Sequence, residues 1–134
     1  MTVAYKKETV GYGDNRYVVE RWSQASGDNA AQTCTTSPAA DARAPAQPRR
    51  LIAVLVKYTN AVTKTCTVTL NSGIGPTYDG LLGSIALNVA ASGSFLPAVP
   101  IDLFSDDVID VYCPAAGVGG ELSQVVIITE CTEL

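Results

Sequence analysis

The stretch Leu51–Leu70, LIAVLVKYTNAVTKTCTVTL, constrains the fold more than any other part of the chain. A run this rich in Val, Ile and Thr loses side-chain freedom on a helix and packs well on a pleated sheet, so it predicts strand. In its second half Val62, Cys66, Val68 and Leu70 share one face with Lys64, and Thr63, Thr65, Thr67 and Thr69 share the other. That period of two marks a half-buried strand. The first half is apolar on both faces, with Leu51, Ala53 and Leu55 alternating with Ile52, Val54 and Val56. Such a strand belongs at the centre of a sheet, covered on both sides by sheet or by a neighbouring chain. Thr59, Asn60 and Ala61 supply polar residues between the halves, and the whole reads as an antiparallel hairpin.

The flanking sequence extends this reading. Val3–Tyr5 and Tyr17–Trp22 are short strand-like pieces on either side of the turn-forming GYGDN. From Ser23 to Arg50 no large aliphatic residue occurs for 28 positions, and three prolines disfavour regular structure, so the segment reads as a long loop or extended arm. Tyr78–Leu87 reads as a broken strand, and Ala90–Pro100 as a small-residue, turn-rich segment. Ile101–Leu103, Val108–Cys113 and Gln124–Leu134 are further strands, with PAAGVGG as a turn before the last. The expectation is an all-β protein, an antiparallel β-sandwich or jelly roll of about seven to eight strands. Residues 1–50 would form N-terminal strands plus the arm, and 51–134 the sandwich core. At 134 residues the chain suits one core that needs neither metal nor disulfide to fold.

Charge is divided unevenly. All nine Lys and Arg lie at or before Lys64 beside five acids, whereas residues 65–134 hold eight acids and no base. The first part therefore carries +4 and the second −8, a split that cancels inside the molecule or docks one subunit on the next. The net charge of −4 argues against a nucleic-acid partner held by phosphate neutralisation. The longest aliphatic run, Leu51–Val56, is far too short to span a bilayer, and the N-terminus lacks a signal-peptide core, so the expected chain is made in the cytoplasm and has no membrane partner.

Catalytic chemistry finds few residues. The sequence has no histidine, which removes Ser/His/Asp and Cys/His pairs and the commonest general base. Cys34, Cys66, Cys113 and Cys131 form no C-x-x-C pair, so a zinc site is a poor fit, and Cys66, Cys113 and Cys131, each inside a strand-like run, are expected as free buried thiols. Asp106, Asp107 and Asp110 crowd together, which suits a solvated turn better than an acid/base dyad or a calcium site. The glycines of GIGPTYDG and GVGG follow no phosphate-binding pattern. No cofactor and no metal are implied. Trp22, at the junction of a strand and the arm, is a candidate anchor for a subunit contact. Arg43, Arg49 and Arg50 in the arm, facing Asp106, Asp107 and Asp110 of a neighbour, complete the candidate interface.

The Thr-rich strand and Gly loop VTKTCTVTLNSGIGPTYDGLL, the segment LPAVPIDLFSDD leading into the strand VIDVYC, and a last strand with an acidic tail resemble the small structural proteins of tailed bacteriophages. The resemblance covers most of residues 51–134. It implies a virion component and no enzyme: a capsid decoration or cement protein that oligomerises, a trimer being one such arrangement, and binds the major capsid protein or other virion proteins. A head–tail component, or a receptor- or carbohydrate-binding module of a fibre, is the alternative it leaves open.

Overall fold

A computed structural model describes residues 3–12, 15–36, 49–73, 75–103, 107–117 and 120–131 of the protein. The fold is all β. Its eight strands are β1 (Val3–Tyr12), β2 (Asn15–Gln24), β3 (Gln32–Thr35), β4 (Arg49–Asn71), β5 (Gly80–Phe95), β6 (Ile101–Leu103), β7 (Val108–Cys113) and β8 (Leu122–Cys131). Every pairing is antiparallel, and all eight strands belong to one sheet in the order β1-β2-β8-β4-β7-β3, with β5 and β6 on the other side of β4.

The expected hairpin is not formed. Residues 49–71 make one strand of 23 residues, and Thr59–Ala61 become a distortion of that strand rather than a reversal. Lys57 pairs with Ser92 and Val62 with Ala90, so four residues of β4 stand against one of β5. An excess of residues on one strand bends it and increases its twist. The backbone N–H and hydroxyl of Thr59 both donate to the Glu121 carbonyl, at 2.9 and 3.1 Å, which holds the bend against the start of β8. No glycine stands in this segment to supply the positive φ that a two-residue reversal requires.

Bending lets β4 serve two halves of the sheet. Its first half pairs with β8 (Arg49–Tyr58 against Cys131–Leu122), and its second with β7 (Thr67–Asn71 against Tyr112–Val108). β5 follows β4 around the bend, and Val89, at φ 52, is the unpaired residue between Asn88 and Ala90. The two ends of β5 consequently face each other across the core. A Cβ on Gly83 would lie 2.5 Å from the Phe95 ring, and one on Gly93 would lie 2.6 Å from Cγ2 of Ile85. The architecture is thus one curled sheet folded over a single core, and the two sheets of the expected sandwich are its two halves.

The core fills the space between these halves. Trp22, Val54, Val56, Tyr58, Val125 and Ile127 come from one side, and Cys34, Cys66, Val68, Ile109, Val111 and Cys113 from the other. Because Val54 pairs with Ile127 and Val56 with Val125, the cross-strand neighbours bury together. At roughly 25 cal/mol per Å² of apolar surface removed from water, burial of each such Val or Ile side chain stabilises the fold by about 1.5–3 kcal/mol.

Several further expectations are revised. The N-terminal pieces are longer strands that form the β1–β2 hairpin, because β2 is templated by β8 through Trp22↔Val125 to Tyr17↔Glu130. The segment Ser23–Arg50 is not wholly an arm. Its residues Gln32–Thr35 form β3 on β7, with Cys34 and Thr36 buried. A cysteine and threonines can build strand without any large aliphatic residue, provided the neighbouring strand supplies the apolar surface. Residues 37–48 lie outside the described residues. Ala90–Phe95 belongs to β5 rather than to a turn. The boundary expected between residues 50 and 51 falls inside β4, and both parts share the same sheet.

Candidate functional site

The residues singled out from sequence do not converge. Trp22 is buried on the inner face of β2 opposite Val125, its ring 5.2 Å from that of Tyr5 on β1, so it anchors the core edge and not an open surface. Arg49 opens β4 and is also buried, 3 % exposed, beside Glu20, which is 1 % exposed. Its Nη1 lies 3.5 Å from Glu20 Oε1 and donates to Thr129 Oγ1 at 3.2 Å. Tyr5 donates its hydroxyl to the other Glu20 oxygen at 2.9 Å, and the Tyr5 hydroxyl is held well above its ordinary pKa by burial and then by this carboxylate. A charge expected to reach a neighbour is therefore paired with Glu20 inside the sheet.

Arg50 stands directly opposite Glu130 in the β4–β8 ladder, with Nε 3.5 Å from Oε1. The basic and acidic parts of the sequence thus meet here within one chain. Asp107 accepts from the backbone N–H of Gly73 at 3.0 Å. Asp110 accepts from the Thr35 hydroxyl at 2.6 Å and from Asn71 Nδ2 at 3.4 Å. These carboxylates tie β3 and β7 to the end of β4, which is turn and edge chemistry. Arg43 and Asp106 lie outside the described residues. Among the described residues no group of three or more His, Cys, Asp or Glu converges as a metal site would require.

The thiols cluster in the core. Thr67 pairs with Tyr112, which brings the preceding Cys66 beside Cys113, and the two are hydrogen bonded. The Tyr58 hydroxyl lies 3.8 Å from the Cys66 sulfur and donates to the Pro114 carbonyl at 2.8 Å. Burial, and then the neighbouring Cys66, push the Cys34 thiol up to about 12, while Cys113 is raised by its hydrogen bond to Cys66 and by burial. Cys34 and Cys113 are thus held as thiols, whereas the Cys66 thiol is lowered by its hydrogen bond to Cys113 and, against burial, by that to Tyr58. All three are buried, which keeps reagents from them.

The surface feature that sequence reasoning located only indirectly is a groove on the outer face of β2, β8, β4 and β5. It has a volume of about 560 Å³ and a floor of Val19, Leu55, Val126 and Ile128. Arg21, Lys57 and Gln124 stand at one side and Ser92 and Ser94 at another. Leu55, 40 % exposed, points outward because the inner positions of this part of β4 are Val54, Val56 and Tyr58. The doubly apolar pattern of Leu51–Val56 was the signal: one face makes the core, and the other remains outside. The groove therefore combines an apolar floor with the basic side chains of Arg21 and Lys57, and its lining holds no carboxylate or thiol. No protein-family model matches the chain, and neither a curated protein nor a solved structure matches it.

Proposed function

We propose that this protein is a structural subunit of a virion, of the capsid decoration or cement type, and that it acts by binding other protein chains and not by catalysis. The observation that carries this reading is the outward apolar face at the centre of the sheet. Val19, Leu55, Val126 and Ile128 line the floor on the paired strands β2, β4 and β8, and an apolar outer surface of that kind suits a protein partner. The resemblance of residues 51–134 to phage structural proteins supplies the context, and the stiff β core suits a part that must persist outside a cell. Less supports the receptor- or carbohydrate-binding alternative, because Asp107 and Asp110, which it would use, already accept hydrogen bonds from Gly73, Thr35 and Asn71.

Immunogold electron microscopy of particles purified from the native source tests the proposal. Antibody raised against this chain should decorate the particle shell at regular sites. Label confined to soluble fractions, with bare particles, contradicts it, and label at fibre tips alone favours the alternative.

A further inference from the structure

We infer that β5 is a dimerisation edge, on which a second copy of this chain adds its own β5 antiparallel across a two-fold axis. β5 is hydrogen bonded to β4 on one side only, and among the described residues no strand pairs with its other side. An open edge presents a row of backbone donors and acceptors to any strand that passes. Proteins ordinarily guard such rows with charges, prolines or short length, and the other edges here are guarded. β1 carries Lys6, Lys7 and Glu8, while β3 and β6 are only four and three residues long. β5 runs for 16 residues, GLLGSIALNVAASGSF, without a charge or a proline. The uncharged stretch continues to Ile101, the longest such run in the sequence.

Side chains along this edge point to the same conclusion. Leu81 is 67 % and Val89 73 % exposed, and Leu96 and Val99 just beyond the strand are exposed as well. Between Gly83 and Asn88 the register with β4 is unbroken, with Ile85 and Leu87 directed inward and the small or polar Ser84, Ala86 and Asn88 directed outward. A neighbour can therefore approach at ladder distance without meeting a bulky outer row.

The occupant follows from charge. Two copies of a chain with net charge −4 repel each other on most approaches, but a neutral edge meets its own copy without that penalty. Antiparallel pairing about a two-fold is isologous, so one contact satisfies both edges and closes the assembly. An acidic or basic partner strand gains nothing from this edge. The inference deepens the structural-subunit reading and rests on it only in that the protein works by protein contact. A dimer absent from virions would overturn that reading alone, and a monomer found on virions would overturn the dimer alone.

Sedimentation velocity on the full chain across a concentration series tests it, beside the exposed outer-face variants Ser84→Lys/Ala86→Lys and Ser84→Glu/Ala86→Glu. The wild type should sediment as a dimer. Each variant alone should associate at least tenfold more weakly, since like charges meet across the axis, and an equimolar mixture of the two should recover the dimer mass. A wild type that is monomeric throughout, or a lysine variant with unchanged dimerisation, overturns the inference. Hydrogen exchange of the wild type gives a readout that needs no variant. Gly80–Phe95 amides should gain protection with rising protein concentration, and concentration-independent exchange there contradicts the two-fold edge.

Discussion

Glu20 and Arg49 carry the largest single-residue stakes in the fold, because both are almost fully withdrawn from water and each neutralises the other. Removing one partner leaves a buried charge without compensation. Glu20→Ala should therefore cost about 3–5 kcal/mol, whereas Glu20→Leu combined with Arg49→Met should cost clearly less, because no charge is then stranded. Urea denaturation of the three proteins checks the order, and an equal loss in single and double variants contradicts it. The thiols supply a pH prediction. Cys34 and Cys113 are raised in the folded protein, so the folded state holds their protons more tightly than the unfolded chain, whose thiols ionise near about 8.5. Stability from this source is complete below that pH and is lost as the pH climbs toward the folded values. From these two thiols the urea midpoint should accordingly fall by pH 10, and native alkylation of the buried Cys34, Cys66 and Cys113 should be slow until the protein unfolds. Rapid labelling of these three at pH 8, or a midpoint unchanged at pH 10, contradicts the assignment.

At the scale of elements, the β4–β5 pair decides the shape. Val89 is a β-branched residue held at φ 52 and largely exposed, so its conformation costs the fold something and its side chain returns little. Val89→Asn should stabilise the protein by about 1 kcal/mol, since Asn tolerates the left-handed region. Gly93→Val should do the reverse by about 1–3 kcal/mol, because its Cβ would press on Ile85 and Leu87 where the two ends of β5 meet. Thermal unfolding separates these outcomes, and a Gly93→Val protein as stable as the parent would mean that the sheet does not close there. Strand identity was legible in sequence because alternation and β-branched residues mark a pleated surface whatever its partners. Connectivity was not. Thr59–Ala61 carries turn-forming polarity, and whether such a segment reverses or bulges depends on β5 and Glu121, which lie far along the chain. β3 was missed for the same reason, since Cys34 is buried by Val111 and the rest of β7 and not by its own neighbours. Arg49 was misplaced as an arm residue because its counter-ion, Glu20, is 29 positions away.

For the whole molecule, the account makes β4 the shared strand on which the inner core, the outer groove and the open β5 edge are all placed. The outward apolar face was half legible, as the second hydrophobic face of Leu51–Val56. The β5 edge was hidden, because an uncharged stretch reads equally as a core strand until its pairing is known. If one strand really serves both halves of the sheet, those halves cannot unfold separately. Native-state hydrogen exchange measures this directly. The account predicts that the ladder amides of β4 on either side of Thr59–Ala61, within 51–58 paired to β8 and within 67–70 paired to β7, exchange only through one global opening with a common denaturant dependence. Exchange of the two groups through separate openings of different free energy would contradict it, and would return the chain to two independent sheets joined by a hairpin.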